Sequence, residues 1–171
     1  MDTKTLNKER PAVYVGTYAK YSAGNLDGDW LYIDEYESKE EFIEACKELH
    51  KDEEDPELMF QDWDYIGTPL VTEDFISPDI WDFDYCGLVE HYGLDAVDAF
   101  LSHDYSLGEF EDIYQGEFDS KKDFAECLAE EMGLLDEVPE RLQYYFDYEA
   151  FARDLFACDY RFDNGYVFLT A

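Results

Sequence analysis

Between Lys51 and Lys121 the chain has no lysine and no arginine, although positions 52 to 120 hold 21 aspartates and glutamates. Over the full 171 residues, 12 basic side chains face 44 acids, for a formal net charge of −32. A field of this sign repels nucleic acid and anionic membrane, and it attracts basic grooves, basic proteins and cations. The charge therefore argues against direct nucleic-acid binding and against a membrane surface as partner.

Other absences narrow the field further. No apolar run approaches 18 residues and the opening MDTKTLNKERP is polar, so the expectation is a soluble, cytoplasmic protein with no signal peptide. Cys46, Cys86, Cys127 and Cys158 form no CxxC pair and read as reduced, mostly buried thiols. His50, His91 and His103 lack metal-ligand spacing and are expected at helix ends or on the surface. There is no GxSxG elbow, phosphate-cradling glycine loop or dinucleotide fingerprint. A glycosidase needs two carboxylates in a cleft, which gives no reason for all the others. The expectation is a protein that is not an enzyme and takes no cofactor. Asp62, Asp64, Gly67 and Glu73 match calcium-loop positions 1, 3, 6 and 12, but Ile66 at position 5 offers no oxygen and no metal site is expected.

What the chain does have is apolar and aromatic mass. Hydrophobic residues make up 46% and aromatics 18%, enough for a core that a disordered acidic tail could not build. Two carboxylates about 7 Å apart repel by roughly 0.6 kcal/mol in water. Summed over the surface, such terms rival a domain's net stability of about 5 to 15 kcal/mol. An elongated shape or a dimer with its acids outward lowers that cost, and salt screens the rest.

The pattern along the chain is α+β. Residues 1–11 read as a flexible arm, followed by an N-terminal α+β domain over 12–68. AVYVGTYAKY and WLYIDEY are strand-like, SKEEFIEACKELHK (38–51) is an amphipathic helix with a Ser38/Glu41 capping box, and ELMFQDWDYIG is a third strand. Residues 69–113 form a helical middle domain of short segments. Residues 114–171 form a C-terminal α+β domain, with a helix after Ser120, a helix begun by Pro139, a further helix over YEAFARDLFACD and a hairpin at Asn164-Gly165. EYESKEEFIEACKELH and EFDSKKDFAECLAEEM share Ser, Lys, Phe and Glu in register, the mark of an internal strand-plus-helix repeat.

The stretch SPDIWDFDYCGL concentrates the question of function. Halophilic adaptation would spread acids evenly and need not empty 69 consecutive residues of cations, so the gap favours a functional surface. An acidic chaperone or sequestering protein for basic proteins fits the charge. So does a mimic of duplex DNA, whose partners gain much of their affinity by neutralising phosphates. In the mimic the aromatics anchor the fold while Asp79, Asp82 and Asp84 stand in for phosphates. The same surface takes in Asp62, Asp64, Glu73, Asp74, Glu90, Asp95, Asp98, Asp104, Glu109, Glu111, Asp112, Glu117 and Asp119.

LLDEVPERLQYYFDYEAFARDLF (134–156) resembles the hallmark segment of the ArdA antirestriction family, through Leu134, Pro139, Arg141, Tyr144, Tyr145, Phe146, Tyr148, Phe151, Arg153 and Leu155. The likeness extends to VYVGTYAKYSAGNLDGDWLYI and so covers nearly the whole chain from about Ala12. It implies an elongated homodimer of three domains, encoded by mobile genetic elements such as conjugative transposons. It further implies a DNA mimic that occupies the methyltransferase core of type I restriction-modification enzymes, with no catalytic residues. Beside the resemblance, Leu142, Tyr145, Phe146, Phe151, Leu155 and Phe156 have the spacing of helix core positions, Arg141 and Arg153 are expected to pair with nearby acids, and Asp136, Glu137 and Glu140 join the charged surface.

Overall fold

Val13 and Val15, fully buried, place strand β1 (Ala12–Thr17) at the centre of a three-stranded antiparallel sheet. The computed structural model describes residues 10–170, which divide into two compact units meeting at Gly108 and Glu109. β1 is paired on one side by β2 (Asp29–Tyr32), with Val13 opposite Leu31, and on the other by β3 (Leu58–Asp64), with Val13 opposite Trp63. Burial on both faces explains its nearly unbroken apolar run.

The strand-like AVYVGTYAKY is a strand only as far as Thr17. The Thr17 hydroxyl accepts from the Lys20 amide at 3.2 Å and starts helix α1 (Tyr18–Ser22), so a local cap prevails over strand propensity. WLYIDEY likewise leaves the sheet at Ile33 for a 3-10 turn over Ile33–Glu35. Of the expected arm, Arg10 is held in place: it forms hydrogen bonds to Asp34 and Glu35 and lies 4.1 Å from the centre of the Tyr32 ring. The rest of that arm, residues 1–9, lies outside the described residues.

Helix α2 (Lys39–Leu49) carries β2 over to β3. Ser38 accepts from Glu41 N at 3.2 Å, as a capping box requires, but the Glu41 carboxylate accepts from Glu37 N, one residue before the expected amide. The short helices α3 (Asp79–Asp82), α4 (Tyr85–Tyr92) and α5 (Leu94–Leu101) complete the first unit. They pack on its first half through Trp81, 5.4 Å from Phe42, and through the buried Tyr85, whose hydroxyl accepts from Gly67 N at 2.8 Å and donates to Tyr65 O at 3.1 Å.

The second unit contains α6 (Phe110–Ile113), β4 (Tyr114–Glu117), α7 (Lys121–Glu131), α8 (Glu140–Gln143), α9 (Tyr148–Cys158), β5 (Tyr160–Asp163) and β6 (Tyr166–Leu169). Its sheet order is β4-β6-β5, all antiparallel, and Asn164 (φ 50°) with Gly165 (φ 94°) makes the expected hairpin turn.

The suggested repeat extends to the sheets. In each unit the two edge strands are connected through helices, α2 alone in the first and α7, α8 and α9 in the second, and the third strand runs antiparallel between them. That central strand comes first in the chain in one unit, as β1, and last in the other, as β6. Ser38 and Ser120 cap equal helices with φ −152° at both and ψ 163° and 164°. Two residues ahead of each cap an aromatic ring meets the buried Phe of the helix edge-on: Tyr36 on Phe42 at 5.4 Å, and Phe118 on Phe124 at 5.1 Å.

Candidate acidic interaction surface

The cation-free block alternates between buried apolar side chains and outward carboxylates. On β3, Asp62 and Asp64 are exposed on one face while Trp63 points to the other. Glu73 and Asp74 sit in the turn between Val71 and Ile76, where Asp74 accepts from the Thr72 hydroxyl at 3.0 Å. Helix α3 buries Ile80 and carries Asp79, half-buried, and Asp82, exposed. Glu90 is exposed on α4, and Asp95 and Asp98 lie three residues apart on α5, opposite the buried Ala96, Val97 and Phe100. Asp104 is exposed in the loop after α5.

In the second unit Glu109, Glu111 and Asp112 are exposed around α6, Glu117 on β4 and Asp119 just before the α7 cap. Asp136 and Glu137 lie exposed in the loop after α7, and Glu140 opens α8. Of the acids singled out from the sequence, all but Asp79 are exposed. The structure thus brings the residues to the surface of their units, on many short elements rather than in one cleft.

Asp84 differs from its neighbours. It stands in the left-handed region (φ 47°, ψ 55°) and its carboxylate accepts from Gly87 N at 3.2 Å, capping α4. One carboxylate oxygen occupies the space that a Cβ on Gly87 would need, at 2.3 Å. Sequence patterning could not assign this second role, because the cap follows from the backbone turn.

The cations are used elsewhere. Arg10 meets Asp34 and Glu35, Lys20 meets Asp52 at 3.0 Å, Lys51 meets Glu48 at 2.6 Å, and Lys122 meets Glu126 at 3.6 Å. None of these pairs uses an acid between Asp62 and Asp84. Neighbouring acids leave a mark on groups that titrate. Desolvation, then a hydrogen bond to the Glu73 carboxylate, pushes the Tyr18 hydroxyl up, with Asp74 and Glu57 acting in the same sense. Burial first, then Asp34 and Asp84, pushes the Cys86 thiol up to about 12.

The histidines and thiols follow the sequence in part. His50 ends α2 but is buried, its Nε2 3.1 Å from Val15 O and its Nδ1 3.0 Å from Lys20 Nζ. Cys46 is buried, Cys86 and Cys127 are half-buried, and Cys158 is exposed, against the expectation of mostly buried thiols. Among the described residues no group of histidine, cysteine and carboxylate side chains could hold a metal ion, and no helix is long and apolar enough to cross a membrane.

The segment 134–156 corrects the sequence reading. Leu142 and Tyr145, expected in the core, are 50% and 79% exposed, and Tyr144 beside them is 88% exposed. Leu134 is exposed as well, while Phe146, Tyr148, Phe151 and Leu155 are half-buried, with Phe146 against Tyr148 at 4.8 Å and Phe151 at 5.7 Å. The expected helix stops early: α8 ends at Gln143, one turn long, and Tyr144 and Tyr145 fall beyond it, so the helical stripe over 142–146 does not form. Pro139 is its cap residue rather than its first helical residue. Gln143, which the sequence does not single out, donates to Leu135 O at 3.0 Å and Val138 O at 2.9 Å and fastens the preceding loop. Arg141 and Arg153 are exposed and form no ion pair among the described residues.

Fold and surface together define a strongly acidic α+β protein that displays its carboxylates on short elements over aromatic cores. Residues 13–168 match the family model described as antirestriction protein (ArdA), and the chain belongs to that family. It is a family of antirestriction inhibitors rather than of catalysts. No curated protein matches the chain in a sequence search.

Proposed function

We propose that this antirestriction protein acts as a mimic of duplex DNA, occupying the DNA-binding groove of type I restriction-modification enzymes at their methyltransferase core. One observation carries the proposal: from Asp62 to Asp84 the chain shows carboxylates at its surface, and the visible ion pairs neutralise none of them. A groove built for phosphates gains affinity from any array of negative charge that fits it and releases its counterions. The proposal includes three domains, 12–68, 69–113 and 114–171, in an elongated cytoplasmic homodimer. The exposed Leu142, Tyr144 and Tyr145 favour a dimer contact, since apolar groups presented together mark an interaction site. Carriage on a mobile genetic element such as a conjugative transposon follows from the same reading.

The test is inhibition of a purified type I enzyme cutting unmodified DNA. Inhibition that saturates near one protein dimer per enzyme supports the proposal. Inhibition only at large excess, together with equal binding to unrelated basic proteins, supports an acidic chaperone instead.

A further inference from the structure

One groove departs from the acidic surface. Beside α2 and β3 lies a cavity of about 250 Å³ whose lining includes Lys39, Lys47, Ile43, Leu58 and Phe75. Lys39 Nζ lies 5.0 Å from the centre of the Phe75 ring, itself 46% exposed. Neither ammonium forms an ion pair among the described residues, although the chain offers 44 acids to only 12 cations. Asp74 also lines the cavity, so its lining side chains carry one positive charge in excess.

The second unit has a counterpart at the same place in the repeat. Lys121, like Lys39 the first residue of its helix, lies 5.3 Å from the centre of the Phe156 ring and lines a cavity of about 310 Å³ beside Tyr160 of β5. In both units, then, the lysine that opens the helix lies over an aromatic ring, although Phe75 comes from the turn after β3 and Phe156 from α9.

We propose that the α2–β3 groove docks an extended acidic segment of the inhibited enzyme, a contact opposite in sign to the mimic surface; this rests on the function proposed above. Lys39 and Lys47 are eight residues apart, about 12 Å along the helix. Carboxylates four residues apart on an extended strand are separated by about 13 Å, and the residue midway between them faces the same side. The segment that fits is acid-x-apolar-x-acid, with its carboxylates on the two ammoniums and its apolar side chain on Ile43 and Leu58. Salt screens acids beyond about 8 Å, and among the side chains that line the groove the two ammoniums face only Asp74.

The first experiment uses a synthetic peptide with the core Glu-Ser-Leu-Ser-Glu and a control with both Glu replaced by Lys. The expected result is a saturable shift of the amide signals of Ile43, Leu58 and Phe75 with the acidic peptide alone, lost in the Lys39→Gln/Lys47→Gln variant. No shift, or equal shifts with both peptides, overturns the proposal. The second experiment compares Lys39→Glu/Lys47→Glu with the unchanged protein in binding to a type I methyltransferase core, with a thermal melt to show that both are folded. Added negative charge strengthens or preserves binding if only the mimic surface matters. The groove predicts weakening of about threefold to tenfold, the range of two exposed ion pairs. Failure of the mimic itself is separable, because the unchanged protein would then leave duplex on the core whatever the peptide does.

Discussion

The Asp84 carboxylate holds the amide of Gly87 at 3.2 Å from a left-handed backbone position, so an acid of the exposed surface is also the cap of α4. Charge and fold can be separated there by the choice of substitution. Asp84→Asn removes the charge, keeps a capping oxygen and tolerates the left-handed backbone. Asp84→Ala should cost about 2 kcal/mol more in urea unfolding, from the lost cap and backbone strain together. Equal stabilities for the two variants would remove the structural role.

Single changes at Asp79 or Asp82 should alter inhibition little, whereas Asp79→Asn/Asp82→Asn/Asp84→Asn should weaken it clearly while the urea midpoint stays near its starting value. The expectation follows from many carboxylates each contributing a small share. One carboxylate whose loss abolished inhibition would indicate a discrete site instead.

Charge repulsion should show itself in stability. With a net charge of −32, urea unfolding is expected to shift to higher midpoint as sodium chloride rises from about 0.01 to 0.5 M, over which the Debye length falls from about 30 Å to below 8 Å. An unchanged midpoint across that series would contradict this account of the charge.

Tyr85 ties the helices of 79–101 to the loop after β3. Tyr85→Phe leaves the Gly67 amide and the Tyr65 carbonyl without their partner in a buried place, for a loss of about 1 to 3 kcal/mol in urea unfolding. A loss below about 0.5 kcal/mol would mean that water or another group replaces the hydroxyl.

The thiols should separate by reactivity. Burial pushes the Cys46 thiol up to about 12 from an ordinary value of 9.0, so at pH 8 it stays protonated and unreactive. Exposed Cys158 should be alkylated first, with Cys46 reacting only after unfolding. The folded value lies above the unfolded one, so the Cys46 contribution to stability is whole below about pH 9 and is lost as pH rises toward 12. The check is mass-spectrometric mapping of alkylation over time, with an alkaline unfolding series for the linkage.

Much of the fold was legible because local chemistry agreed with the tertiary outcome. Ser38 and Ser120 mark helix starts, Asn164-Gly165 marks a hairpin, and Phe42 and Phe124 sit at matching core positions. Reading failed where a short-range contact or a missing neighbour decided. Thr17 begins a helix that strand propensity denies, and of the residues at helical spacing Leu142 lies on a one-turn helix while Tyr145 falls in the turn beyond it, so neither reaches a core. The strand exchange between the repeats, β1 first in one and β6 last in the other, leaves no trace in a window comparison of helices. For the site, the gap in cations named the surface, while exposure follows from which face of each short element meets its core. The cap made by Asp84 and the clasp made by Gln143 depend on backbone geometry that residue types do not encode.

The most direct test of the mimic is displacement. The protein is titrated into a type I methyltransferase core holding a labelled cognate duplex, across a salt series, with an unrelated basic DNA-binding protein as control. The account predicts displacement that saturates at low stoichiometry, spares the control and weakens steeply as salt rises. Duplex that stays bound at low salt would contradict it.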